Sequence, residues 1–155
     1  MIRRPQKIIS GGQTGADQGG IWGAAECGIP TGGVMPKGFR TEDGPNPEFA
    51  RIFGLTEHSS SEYPPRTSVN VQTSDGTVVF GRTHERGSQL TIRLCEQYGR
   101  PYILNPDAER LRAFIIRESI KTLNIAGNRE SKNPGIGKHV QQTIMEAFTE
   151  PQHDA

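Results

Sequence analysis

Glycine, hydroxyl and charged residues recur together at three places in this chain, each closing a short apolar run and opening a helix-compatible one. The first is Gly11-Gly12-Gln13-Thr14-Gly15-Ala16-Asp17. Its glycines allow a sharp bend and let an anion approach peptide N–H groups at a helix start. Gln13 and Thr14 add side-chain hydrogen-bonding groups that a purely structural turn does not need. The stretch matches neither the Walker A pattern nor G-x-G-x-x-G. The second place, Gly81 to Ser88, sets Arg82 and Arg86 beside Thr83, His84, Glu85 and Gly87 at another helix start, which suits a phosphate-like ligand. The third, Gly127 to Ile136, repeats that composition with Arg129, Glu130, Ser131 and Lys132. The first has a bland alternative as a tight structural turn and the second as a solvated charged loop; the recurrence of such turns is what points to a site.

Each helix N-terminus behaves as roughly half a positive charge, so two or three that converge offset much of a phosphate monoester before any side chain is counted. One or two arginines, each donating charge-assisted bonds of about 1.5–3 kcal/mol, complete such a site. Lys37 and Arg40 follow the second apolar run and could reach the same edge, while Glu42 and Asp43 beside them could accept bonds from amino or hydroxyl groups or pair with surface charges. His58, His84, His139 and His153 have no ligand spacing to one another or to Cys27 and Cys95, so no protein-ligated metal is expected. The two cysteines read as small buried hydrophobes, and Ser88 as a helix cap rather than a nucleophile.

The elements that must position these turns are short. Lys7 to Ser10 is a strand, and the helix after the first turn stops at Gly28. Gly28 to Val34 reads as a second strand. Met35 to Arg66 carries five prolines and no periodicity, and is expected to be a long loop acting as a lid, binding segment or contact surface. A short helix is expected over Thr67 to Thr73, then a buried strand Thr77 to Phe80. Ser88 would cap a helix with Leu90, Leu94 and Tyr98 on its inner stripe, and Asn105-Pro106 would start another whose buried face is Leu111, Phe114 and Ile115. Pro101 to Leu104 and Leu123 to Ala126 are strands, and Val140, Ile144 and Phe148 stripe the closing helix. The expected fold class is α/β: a three-layer, Rossmann-like arrangement with a parallel sheet of about five strands flanked by helices. One ligand-binding domain is expected over residues 1–150, with a frayed tail at 151–155. In such a sheet every strand-to-helix turn lies at the C-terminal edge, where ligands bind.

Composition narrows the partners. With 155 residues, 32% of them hydrophobic, the chain suffices for one core. The formal net charge is +1, with no basic excess in either half, which argues against nucleic acid as a partner. No apolar segment reads as a membrane span or leader, so a soluble, cytoplasmic protein is the expectation.

Several segments, taken in order, resemble one family. They are Ile8 to Asp17; Gly28-Ile29-Pro30 with Gly32-Gly33; Pro36-Lys37-Gly38 with Glu42-Asp43-Gly44-Pro45; Ser74-Asp75-Gly76-Thr77; and Asn124 to Gly127 with Arg129 to Lys132. Over about residues 7–148 the chain resembles the molybdenum cofactor carrier family, also described as circularly permuted YpsA-like proteins. The resemblance implies a Rossmann-like domain of the nucleotide-ligand-binding superfamily that includes the cytokinin-activating phosphoribohydrolases and the DNA-processing protein DprA. It also implies molybdenum cofactor (molybdopterin) as cargo, homo-oligomers, and a molybdoenzyme or cofactor-biosynthesis protein as partner. The terminal phosphate of that pterin suits the helix starts and arginines, and its polar ring suits Gln13, Glu42 or Asp43. Where many relatives carry Gly-Gly-Thr, this chain has the bulkier, charged Thr83 to Ser88.

Three readings remain open at this point. One is a non-catalytic carrier whose site draws on Gly11, Gly12, Gln13, Thr14, Gly15, Asp17, Lys37, Arg40, Arg82, Thr83, Arg86, Gly87, Ser88, Gly127, Arg129, Glu130 and Ser131. Another is a nucleotide N-glycosidase with Asp17, Glu85 or Glu130 assisting the departing base. The last is a sensor for ADP-ribose-like nucleotides without turnover.

Overall fold

The structure is a computed structural model describing residues 3–150, so the tail expected to fray, and His153 within it, lie outside the described residues. Five strands form one parallel sheet: β1 (Lys7–Ser10), β2 (Thr31–Gly32), β5 (Gly76–Phe80), β6 (Tyr102–Leu104) and β7 (Thr122–Gly127), in the order β2-β1-β7-β5-β6. The last strand therefore lies between β1 and β5. From β1 the chain crosses to one side through α1 (Ala16–Glu26), and from β5 to the other through α4 (Arg86–Gln97), so the two crossovers diverge around the exit of β7. That divergence opens a crevice at the C-terminal edge.

Alternation along the strands assigns the two faces. Val78 and Phe80 of β5 and Leu123 and Ile125 of β7 join a core with α5 (Ala108–Arg117) and α6 (Ile136–Phe148), including Leu111, Phe114, Ile115, Val140, Ile144 and Phe148. Asn124, between Leu123 and Ile125, donates across the strands to Thr77 Oγ1, next to Val78, at 3.2 Å, and both lie outside that core. Helix α1 packs against α6 by close backbone approach. A Cβ on Gly19 would fall 2.1 Å from Gly137 O, and one on Gly20 would meet Ile125 at 2.7 Å. These glycines are there for space.

The structure corrects the expected elements in four places. The stretch Gly28 to Val34 is not one strand: Gly33, at φ 124°, packs onto the backbone of Ser10 and turns the chain out of the main sheet. The next two residues, β3 (Val34–Met35), pair in parallel with β4 (Thr56–Glu57) instead. Met35 to Arg66 is not a structureless loop. It holds a 3-10 turn (Lys37–Phe39), α2 (Pro47–Phe53), β4 and the start of α3 (Tyr63–Thr73). Asn46 caps α2 by accepting from Phe49 N–H, and Gly54 ends it in the left-handed region. Met35, Phe49, Ala50 and Leu55 join Ile21 in a second, smaller core, so each element here is too short for periodicity to reveal.

Helix α4 starts earlier than expected, with Glu85 at the N-cap position and Ser88 inside the first turn. Its buried residues are Ser88, Thr91 and Cys95, while Leu90 and Leu94 are half-buried and Tyr98 is exposed. Small side chains let this helix lie close to the sheet beside β5 and β7, and an apolar stripe of leucines would hold it farther away. Finally, Asn105 is not a cap. It sits at φ 46°, accepts from Gly81 N–H and donates to Gly81 O, and α5 is capped by Asp107 accepting from Arg110 N–H.

Candidate functional site

The turn after β1 is organised around Asp17. Ser10 Oγ accepts from Gly12 N–H at 3.2 Å, and Gln13 N–H donates to Asp17 Oδ2 at 3.2 Å. Gln13 Nε2 donates to Gly11 O (3.1 Å) and Arg40 O (2.9 Å), which draws the segment after β3 onto the turn. Asp17 is buried. Burial pushes its carboxyl up to about 6, against the opposing pull of Arg66, Gln13 N–H and Arg129.

Arg66, on α3, reaches this carboxylate with Nη1 3.8 Å from Asp17 Oδ2, and its side chain is 12% exposed. Burial also lowers the affinity of its guanidinium for the proton, and Asp17 opposes that shift. The contact needs glycine at position 11, because a Cβ there would lie 1.8 Å from Arg66 Nη1 and 2.9 Å from Asp17 Oδ2. Tyr63, one turn earlier on α3, gathers three guanidinium groups: Arg129 at 4.3 Å from the ring centroid, Arg40 at 4.8 Å and Arg66 at 5.4 Å.

Glu42 ties three distant segments together. It accepts from Thr14 Oγ1, from Ser131 Oγ and from Ser131 N–H. Burial alone would raise its carboxyl, but the hydrogen bonds from Ser131 and Thr14 outweigh this and hold it below the usual range. Asn128 similarly joins the turns after β5 and β7, accepting from Arg82 N–H at 2.6 Å and donating to Arg82 O at 3.1 Å.

A cleft of about 530 Å³ opens between these turns, α3 and α4. Among the described residues its positive side chains are Arg66, Arg86, Arg93, Arg129 and Lys132, facing Asp17 and Glu85 as carboxylates. Among the described residues, three buried side-chain atoms have no hydrogen-bond partner: Gln13 Oε1, Arg66 Nε and Ser88 Oγ. All three belong to residues that line this cleft.

The model of the circularly permuted YpsA SLOG family matches residues 8–148. This chain belongs to the circularly permuted YpsA SLOG family. A crystal structure from Syntrophus aciditrophicus SB, described as a putative molybdenum carrier protein, matches this family member with a TM-score of 0.86 and 36% sequence identity. The match covers 97% of this chain and 98% of the other. No curated protein matches.

In this member of the circularly permuted YpsA SLOG family the residues singled out from sequence fall into two groups. Gln13, Asp17, Arg86, Gly87 and Ser88 line the cleft, as do Gly127 and Arg129. The rest stand behind it or beside it. Gly15 packs on the backbone of residues 128–130, and Thr14 is bound to Glu42 and to Glu130 N–H. Arg40 stacks on Tyr63, while Lys37 lies exposed on the 3-10 turn. Glu130 caps α6, accepting from Gly135 and Gly137 N–H, so its carboxylate is occupied by the protein itself.

The amides of the turns are also largely committed. Gly12 and Gln13 N–H go to side chains of the same turn, Ala16 N–H to Asn128 O, and Gly81 N–H to Asn105. The N-terminus of α4 differs: it has no side-chain cap hydrogen bond and lines the cleft. Positive potential here therefore comes mainly from guanidinium groups and one helix start, in place of three amide nests. Tyr63, Arg66, Thr91 and Arg93 were missed from sequence. Pro64-Pro65 after Tyr63, prolines suited to a first helical turn, was the available sign that α3 starts there and carries Tyr63 and Arg66.

Proposed function

We propose that this chain is a molybdenum carrier that holds molybdenum cofactor, a phosphorylated pterin, in the cleft between the β1 turn, α3 and α4. The observation that carries this reading is the coincidence of three unpartnered buried polar atoms with one strongly cationic cleft. Each such atom costs about 1–3 kcal/mol while unpaired, and a polar anionic ligand is the economical way to pair them. A volume of about 530 Å³ suits a ligand of that size. Among the described residues no group of three or more His, Cys, Asp or Glu is placed to hold a metal ion, so the molybdenum would ride on the dithiolene of the cargo. The name borne by the Syntrophus protein supports the same reading. Release to a molybdoenzyme, or loading by a cofactor-biosynthesis protein, completes the proposed role.

Mass spectrometry and metal analysis of the protein purified from a cofactor-producing host test it. The expected result is a pterin and molybdenum in near-equal amounts bound to the chain. Neither of them bound, under conditions that retain ligand, overturns it.

A second reading has one observation in its favour: Asp17, with its carboxyl near 6, shares the cleft with Glu85, and a raised carboxyl suits a general acid. Free base released from nucleoside monophosphates, and lost in Asp17→Asn, would establish a nucleotide N-glycosidase in place of a carrier.

A further inference from the structure

The β1 side of the cleft carries a donor and acceptor pattern that a bare phosphate would not use. Gln13 Nε2 is committed to Gly11 O and Arg40 O, which fixes the orientation of the amide and leaves Oε1 as a buried acceptor without a partner. Gln13 is only 3% exposed. The carboxyl of Asp17, which already receives Gln13 N–H on Oδ2, is a second acceptor lining the same cleft. Arg66 supplies the donor, with Nη1 3.8 Å from Asp17 Oδ2 and Nε unpartnered. The third orphan, Ser88 Oγ, belongs to a different element, the first turn of α4, where an uncapped helix start suits a phosphate. Groups suited to a phosphate and groups suited to a polar ring thus come from different elements of the same cleft.

We infer that Gln13, Asp17 and Arg66 read the edge of a 2-amino-4-oxopyrimidine ring, the edge shared by pterins and guanine. The ring carbonyl accepts from Arg66, while the ring N–H and the exocyclic amino group donate to Gln13 Oε1 and the Asp17 carboxyl. Adenine offers one amino donor beside an acceptor nitrogen and leaves an acceptor of the protein unpaired. The inference rests on the reading that the cleft takes a phosphorylated pterin, and it adds which residues would recognise the edge of its ring.

Isothermal titration calorimetry of the full chain with GMP, IMP, AMP, pterin-6-carboxylate and inorganic phosphate tests it. GMP is expected to bind at least about tenfold more tightly than AMP, because a dry site penalises an unpaired group by that order. IMP, which keeps the carbonyl and ring N–H but lacks the amino group, is expected between them. Pterin-6-carboxylate binding more tightly than AMP while GMP is excluded also supports the inference and names a pterin as the source. Gln13→Met is expected to shrink the preference to within about twofold. If that variant does not fold, by thermal melting, the ranking of ligands on the unaltered protein decides alone. A folded Gln13→Met protein that keeps the full preference overturns the assignment. So does equal affinity for GMP and AMP with pterin-6-carboxylate no tighter, a result that leaves the anion cleft standing. Binding of none of the five probes overturns the ring reading and the proposed function together.

Discussion

The Arg66 guanidinium lies 3.8 Å from the Asp17 carboxylate in space that exists because residue 11 has no side chain. The two charged groups come from α3 and α1, and both are largely buried. Burial works against each charge, and their mutual attraction offsets part of that cost.

Replacing Gly11 by alanine puts a methyl 1.8 Å from Arg66 Nη1, so the guanidinium must move. The expected outcome is a loss of about 1–3 kcal/mol in stability by urea denaturation, the usual range for overpacking. Weaker binding of GMP by calorimetry should accompany it, because Arg66 is displaced from the place where it would donate to the ring carbonyl.

Stability should depend on pH through Asp17. Its carboxyl sits near 6 in the folded chain against 3.8 for the free group, so between those values the folded state binds more protons than the unfolded one. The stabilising contribution is therefore full below about pH 4, is lost as pH rises through 6, and amounts to about 3 kcal/mol. Urea midpoints measured across this range should fall with pH from this contribution, and Asp17→Asn should flatten that part of the profile.

Glu42 accepts from Thr14 and from Ser131, so it joins the residues after β3 to the turns after β1 and β7. Glu42→Gln places an amide N–H against donors and is expected to cost about 1–2 kcal/mol. Hydrogen exchange should show faster opening over residues 37–46, with the central strands unchanged.

Gly19→Ala provides a test of sign. In an isolated helix the change stabilises by about 1 kcal/mol. Here the new Cβ would fall 2.1 Å from the backbone oxygen of Gly137, so α1 and α6 must separate. The expected outcome in thermal melting is net destabilisation, by about 2 kcal/mol.

Much of the sheet was legible because its cues are local. The runs Lys7 to Ser10, Thr77 to Phe80 and Leu123 to Ala126 are apolar and bounded by turn residues, and all three are strands of the observed sheet. The stripe Val140, Ile144 and Phe148 on the last helix is fully buried, as its spacing implies. Helix α4 misled because its inner face is made of Ser88, Thr91 and Cys95, residues whose burial depends on close approach to the sheet. Nothing in the spacing of Leu90, Leu94 and Tyr98 records that approach.

By itself, the amino-acid sequence determined the alternation of strands and helices, and with it the edge at which the glycine turns meet. Those features follow from hydrophobic period and turn chemistry, which act over a few residues. Only the tertiary structure decided what fills that edge. It brought Tyr63 and Arg66 from α3 beside Asp17, set Arg129 and Arg40 against the same ring, and committed Glu130 and most turn amides to the protein's own groups. Charge and hydrogen-bond pairing depend on distance in space, and residues far apart along the chain acquire that distance only when the sheet and its crossovers are complete.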